Sequence, residues 1–341
     1  MAYTTIDTSN ALTVKAWSEK LYRDAVLDSY WKKFLGGDNS PVHVKSELDK
    51  EPGDEITFGL RGKLKGAGVQ SGQRLKGNEE ALSLYNTKIG IEQYRHAVKL
   101  QGEIDLRRTK FNLKSEAKSA LTEWGTEKID SLCFTAALAS PTKVLYRASA
   151  DGTFAGTGTP ATAKAAMSAT NGIITTGFIS ALRAWAVSSN NNTRIPIRPI
   201  KVDGSEYHVL LVSPNVMHGL KNDSTFQQAQ RDAQDRGKDN PLFKNATAIW
   251  GNVVVHEHER IPEYTDGGGA AVRYATCLLF GAQALIYARG EPEKIVAETD
   301  DYENEYSIKW GVVMGVKKPT FNGADFGSVG VYIACSDITG K

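Results

Sequence analysis

Apolar positions divide the chain before any motif does. Between Trp17 and Phe34 they recur three or four apart, at Leu21, Ala25, Leu27, Tyr30, Trp31 and Phe34. That spacing predicts an amphipathic helix, stopped by Gly36-Gly37-Asp38-Asn39. Residues 1–16 are polar, Thr-rich and aperiodic, and read as an extended arm. An arm followed by a short aromatic-rich helix is a poor independent unit, so the pair reads as a segment that docks on another surface, a neighbouring subunit included.

From Asp54 the period changes to two. Ile56, Phe58 and Leu60 share one face of a strand, and Leu82 to Tyr85 and Ile89 to Tyr94 favour its return, so residues 54–105 read as one long hairpin. The span between, Gly62 to Gly72, is Gly-rich and almost free of apolar side chains, and should project from the body. Leu113, Ala117, Ala120, Leu121, Trp124, Ile129, Leu132, Cys133 and Ala136 then form one stripe, predicting a helix over 111–139. Asn112 is its N-cap and Ser140-Pro141 its end. At ~1.5 Å per residue it is about 40 Å long, the length of a structural spine.

Residues 147–171 are dominated by Ala, Gly, Thr and Ser and read as a surface excursion with little capacity for a core. A second helix is predicted over 175–186, with Phe178, Leu182 and Trp185 on one side. An α/β-like unit follows, with strands at 207–212, 252–259 and 272–279, a helix opened by Ser213-Pro214 and a polar helix over 225–234. The tail is acidic from Lys294 and then β-rich, at 308–316 and 329–334.

Composition narrows the function classes. The 341 residues are enough for about two domains and a sizeable core. Lys and Arg number 41 against 39 Asp and Glu, a net charge of +2. That balance argues against a dedicated nucleic-acid binder, though not against a protein that encloses nucleic acid. Cys133, Cys277 and Cys335 form no C-x-x-C pair and read as reduced, buried thiols of a protein made in a reducing cytoplasm. The N-terminus carries no signal-peptide pattern, and Ala275 to Ala288 is too short to span a bilayer, so no membrane role is expected.

Charge is unevenly placed. Arg61, Lys63, Lys65, Arg74 and Lys76 occur without an acid until Glu79-Glu80. Glu298, Asp300, Asp301, Glu303 and Glu305 form an acidic segment with no Lys or Arg among them. In a monomer the basic span reads as a solvated loop; it lacks the G-x-x-x-x-G-K-[ST] spacing of a phosphate loop. Its other reading is an arm that lies on an acidic patch of another subunit.

The most enzyme-like string is His256-Glu257-His258-Glu259. A zinc-protease helix needs H-E-x-x-H, with the histidines one turn apart. Here they are two apart on a predicted strand, so they share a face of a half-exposed strand while both glutamates point the other way. A metal would need further ligands from elsewhere, and no other histidine supports one. No nucleophile elbow, dinucleotide loop or Cys-His pattern is present either. The sequence offers no active site and implies no cofactor. Trp17, Trp31, Trp124, Trp185, Trp250 and Trp310 all lie in periodic segments and read as core or interface residues.

The order of parts resembles the α+β Hong Kong 97-type capsid fold: an arm, a long Gly-rich hairpin, a spine helix, an α/β unit and a β-rich finish. Local wording is similar to the major capsid family of N-four-like tailed bacteriophages. The stretches that carry this are Ser9 to Lys15, Gly53 to Arg61, Gly77 to Leu82, Gln93 to Val98, Val253 to His258 and Leu279 to Ala284, spread along nearly the whole chain.

The resemblance implies a structural protein and no enzyme. It implies an N-terminal arm and short helix at 1–40, and a P-domain from 41–53, 106–202 and 271–341, with the spine helix at about 111–139. It places an E-loop hairpin at 54–105, reaching over a neighbour, and an A-domain at 203–270. The implied function is a major capsid protein that self-assembles, as hexamer and pentamer capsomers, into the icosahedral shell around a double-stranded DNA genome. The implied location is the virion, with assembly in the host bacterial cytoplasm. Expected partners are the chain itself, a separate scaffolding protein, a portal, decoration or cement proteins, and packaged DNA through non-specific contacts. The expected inter-subunit contacts are Trp17, Tyr30 and Trp31, the basic set Arg61, Lys63, Lys65, Arg74 and Lys76, and the acidic set Glu298, Asp300, Asp301, Glu303 and Glu305. Some relatives cross-link Lys to Asn between subunits. Lys63, Lys65 and Lys76 are available for that, but no acid stands out as its catalyst. Two alternatives remain: an encapsulin-like compartment shell, and a metal-dependent hydrolase built on His256 and His258.

Overall fold

The computed structural model describes residues 29–46, 55–62, 64, 66, 68–101, 113–147, 156–188, 195–202, 204–232, 248–268, 271–302 and 304–335. Of the predicted first helix, these include only its end. Tyr30–Phe34 form a 3-10 turn, capped by Ser29, whose Oγ accepts from the Trp31 N–H. Strands β1 (Leu35–Gly36) and β2 (Val42–Lys45) follow. Then come β3 (Glu55–Arg61), β4 (Leu84–Gly90) and β5 (Glu92–Gln101), and the spine helix α1 (Leu113–Leu138).

Next are β6 (Val144–Tyr146), β7 (Gly156–Gly158), α2 (Pro160–Ala165) and α3 (Thr176–Val187). The α/β-like unit holds β8 (Ile200–Val202), β9 (Ser205–Val212), α4 (Pro214–Lys221), α5 (Ser224–Asp232), β10 (Ala248–Trp250) and β11 (Val253–Glu257). The chain ends in β12 (Glu263–Gly267), β13 (Val272–Phe280), β14 (Leu285–Asp300), β15 (Glu305–Lys317), β16 (Thr320–Phe321), β17 (Ala324–Asp325) and β18 (Ser328–Ala334).

Two sheets organise these strands. One runs β1-β2-β14-β15-β5; the other runs β10-β11-β9-β13-β18-β6-β7, with β12 on β13 and β8 on β9. The spine helix lies across both: it packs on β15, β5 and β14, and on β13. Its buried positions Ala117, Leu121, Gly125, Ile129, Cys133 and Ala137 recur every four residues and form one row, beside which Asp130 and Phe134 are also buried. β9 and β11 are parallel neighbours whose Val and Leu runs are buried, as a strand covered on both faces requires.

Three expectations change. Residues 54–105 are not one hairpin: β3 pairs with β4, but β5 pairs with β15 in the five-stranded sheet. The chain switches at Ile91, where β4 passes so close to β15 that a Cβ on Gly315 would stand 2.1 Å from the Gly90 carbonyl. The span 147–171 is not merely a surface excursion, because α2 buries Ala163, and Met167 beyond it is buried against Val144, Tyr274 and Tyr332. The tail also holds a 16-residue strand, β14, with register shifts between Arg289 and Lys294.

Candidate functional site

Two projections leave the body. The first is the β3–β4 hairpin. Its base is anchored, since Ile56 and Ile89 are buried against Ile286 and Ala288. Beyond Arg61 and Leu84 its described residues pack on nothing in the body. Its turns are held from within, by the Gly66 N–H donating to Glu80 at 2.6 Å and the Gly77 N–H donating to Glu79 at 2.7 Å. Gly68, Gly72 and Gly77 carry positive φ there, a conformation that favours glycine.

Arg61, Arg74 and Lys76 are exposed on this projection, while Lys63 and Lys65 lie outside the described residues. Sequence reasoning passed over the apolar members. Leu64, Leu75, Leu82 and Leu84 are all exposed, Leu84 by 70%. Four exposed leucines on one protrusion form the kind of patch that marks a contact surface. The leucines were visible in the sequence, but only the missing core contacts make them surface residues.

The second projection is the far end of the β14–β15 ribbon. It turns through Asp301 and Tyr302, both at positive φ (51° and 54°), with the Asn304 N–H donating to the Asp301 carbonyl at 3.1 Å. Glu298, Asp300 and Asp301 are exposed and Tyr302 is fully so; Glu303 lies outside the described residues. Glu305 is occupied, because it bridges Lys99 on β5 and holds that ammonium above its usual range.

A third cluster fastens the 3-10 turn to the spine helix. Asp130, buried on α1, accepts from the Ser29 hydroxyl, from the Tyr30 N–H at 2.9 Å and from the Trp31 N–H at 3.5 Å. Trp31 and Phe34 then insert into the core against Phe134 and Phe280. Trp31 is 1% exposed, so this side chain is a core anchor and offers a neighbour no surface. Tyr30 is half-buried, stacked on Phe134 and edge-on to His258. Trp17 lies outside the described residues.

The histidine pair belongs to this cluster. His256 and His258 do share a face, but His256 is fully buried, not half-exposed. Its Nδ1 lies 3.2 Å from the Lys33 amine, whose pKa burial lowers to about 8. The His258 Nδ1 accepts from the Arg260 N–H at 3.1 Å, and burial lowers the pKa of this ring. Glu257 points away, toward Lys221 at 3.7 Å. A lysine beside one imidazole repels a metal ion, and among the described residues no group of three or more His, Cys, Asp or Glu is arranged to hold one. The pair packs and fastens.

Along the same face of α1 runs an open groove of about 760 Å³. One wall is the helix from Trp124 to Ala139, and the other is the stretch Arg260 to Tyr264. Arg260 crosses its rim to Glu127, with Nη2 to Oε1 at 3.2 Å.

Comparison with known proteins bears on these features. A family described as phage capsid protein matches residues 5–336. The major capsid protein of Pseudomonas phage KPP25 is 29% identical over a 360-residue alignment, covering 93% of this chain and 94% of that one. Among solved structures, the capsid of Ralstonia phage GP4 superposes with a TM-score of 0.78 at 26% identity, over 100% of both chains. The capsid asymmetric unit of the cyanophage Pam1 superposes at 0.77 with 23% identity, over 98% of this chain and 99% of that one.

Proposed function

The chain belongs to the phage capsid protein family, and from that premise we propose how its parts build a shell. It is a major capsid protein with the Hong Kong 97-type fold, a structural subunit that joins copies of itself in an icosahedral head and is not an enzyme. The β1-β2-β14-β15-β5 sheet with α1 serves as the peripheral domain, while β13 and β18, which return after residue 271, pair within the sheet of β9 and β11 and go with the axial domain. Residues 203–270 serve as the axial domain, and the β3–β4 hairpin as the arm over a neighbour.

The observation that carries this reading is the hairpin. From Gly62 to Ser83 no described residue is buried, yet three leucines, Leu64, Leu75 and Leu82, and two cations, Arg74 and Lys76, are displayed there. Covering one leucine is worth about 1.5–3 kcal/mol, so a second copy lying on this patch gains more than any exposed ion pair supplies. Arg61, Arg74 and Lys76, with Lys63 and Lys65 in the same span, set the register against Glu298, Asp300, Asp301 and Glu303 of a neighbour. Glu305 is left out of that set because Lys99 already holds it.

The shell assembles in the host cytoplasm on a separate scaffolding protein, takes the portal at one vertex and encloses double-stranded DNA without sequence-specific contacts. Negative-stain microscopy and light scattering of the chain, alone and with its scaffold, test this. Closed shells, tubes or capsomer rings are expected. A monomer under both conditions, at high concentration and across salt, would overturn the reading.

A further inference from the structure

We infer that the open edge of β5 receives residues 78–83 of a second copy of this chain as an added antiparallel strand. This rests on the shell reading of the β3–β4 hairpin and deepens it, because it names the place where that projection lands.

β5 is the last strand of the β1-β2-β14-β15-β5 sheet. It pairs with β15 from Glu92↔Met314 to Gln101↔Glu305 without a register shift, and no strand among the described residues pairs with its other edge. At ~3.4 Å per residue its ten residues run about 34 Å, and alternate residues turn their N–H and C=O groups outward along that edge. Proline, a bulge or a short strand commonly blunts an exposed edge, and β5 has none of these. The hairpin supplies the complement. Residues 79–83 are exposed and belong to no strand. Of these five, only Ser83 takes part in a described backbone hydrogen bond, its carbonyl accepting from the Gly62 N–H.

Direction and side agree. β5 runs toward Gln101, which lies level with Glu305 and Asp300 near the β14–β15 tip. A hairpin whose turn points the same way runs residues 78–83 back along β5, antiparallel to it. The same placement carries Arg74 and Lys76 on toward Asp300 and Asp301. Alternation puts Glu79 and Ala81 on one face of the added strand and Glu80 and Leu82 on the other. On β5, Arg95, Ala97 and Lys99 share the exposed face. Tyr94, His96 and Val98 face α1, with His96 against Trp124 and the Lys128 amine over the Tyr94 ring. Setting Leu82 beside Tyr94 and Val98 therefore sets Glu79 beside Arg95 and Lys99, so apolar meets apolar and acid meets base.

Amide hydrogen exchange on the unmodified chain, dilute and then assembled into shells, is the first test. Alternate amides of β5 are expected to exchange fast in the dilute chain and about tenfold or more slowly in shells, together with those of residues 79–83. Cysteine pairs on separate chains then read the register, since facing strands bring side chains within disulfide reach. Ala81→Cys is mixed with Gln93→Cys, Arg95→Cys or Ala97→Cys, all on one face of β5, and at least one mixture should give a covalent dimer on oxidation of the shells. Ala81→Cys with His96→Cys, which faces α1, should give none, and Ala81→Cys alone sets the background from the native cysteines. A β5 edge already protected in the dilute chain would mean that the chain's own segment covers it, and would overturn the inference. Unslowed exchange in well-formed shells, or shells in which no pair links, would overturn it while leaving the capsid reading in place. Absence of shells by microscopy would remove the capsid reading, and this inference with it.

Discussion

At Gly125 the spine helix comes so near the sheet that a Cβ would stand 2.7 Å from the Trp310 ring. Trp310 is fully buried and held edge-on by Trp124, so it has nowhere to move. Alanine in a helix interior is intrinsically better than glycine by about 1 kcal/mol, but overpacking a core costs about 1–3. Gly125→Ala is therefore expected to destabilise the chain by about 0–2 kcal/mol in urea unfolding; a stabilised variant would refute the close approach. Asp130 is the reverse case, a polar group the core cannot lose. Asp130→Ala strips the Tyr30 N–H and the Ser29 hydroxyl of their acceptor and should cost roughly 2–3 kcal/mol, since a buried donor left unpaired costs about 1–3. Glu293 gives a pH signature. It is fully buried on β14, and burial lifts its pKa from 4.5 to about 8, against the opposing pull of the Trp310 indole and Arg289. Between those values the folded chain keeps a proton that the unfolded chain has released, so Glu293 makes stability fall as pH rises from about 5 to 8. Glu293→Gln should flatten that slope in melts taken across the range, and an unchanged slope would assign the titration to another group.

Among the elements, the hairpin separates folding from assembly. The Gly62 N–H donates to the Ser83 carbonyl at 2.7 Å, so residues 63–82 can be replaced by a two-residue Asn-Gly turn without disturbing β3 or β4. That variant should melt within a few degrees of the parent by circular dichroism and form no shells by microscopy. Shells from it would remove the hairpin from the assembly mechanism. The elements also differ in how plainly the sequence announced them. α1 was legible to within a residue or two because a four-residue apolar row is buried along its whole length, and β9, β11, β13 and β18 were legible because each is a dense apolar run between polar breaks. β14 was not, since its register shifts and its exposed outer half break the alternation that marks a strand. Nor was the switch at Ile91, which is set by long-range fit: a Cβ on Gly290 of β14 would meet the Ile91 side chain at 2.7 Å. The histidine pair was placed on the right strand and the shared face was right, but its burial comes from Phe34 and Phe134, which are remote in sequence. For the same reason nothing local marked Trp31 as a core anchor.

Across the whole molecule the small net charge conceals a division. A chain at +2 has little long-range self-repulsion, so copies can approach closely in ordinary salt. The separated clusters, cations on the β3–β4 hairpin and acids at the β14–β15 tip, then act only at short range, within a Debye length of about 8–10 Å. A single exposed pair is worth about 0–1 kcal/mol and cannot hold a shell, but repeated at every subunit it fixes which register is lowest in energy. On the proposed contact, hairpin leucines would supply the adhesion and charge the alignment. The two contributions separate in a charge exchange. Arg74→Glu with Lys76→Glu should impair assembly, as should Asp300→Lys with Asp301→Lys, because each sets like charges against one another. The quadruple variant carries both changes and restores attraction with its sign inverted, so it should assemble better than either double variant. Added salt should narrow the difference among all four chains while leaving leucine-driven association in place. Light scattering of assembly at two salt concentrations reads this directly. A quadruple variant no better than the doubles would mean that the two projections never meet, and the hairpin would then need another acceptor surface.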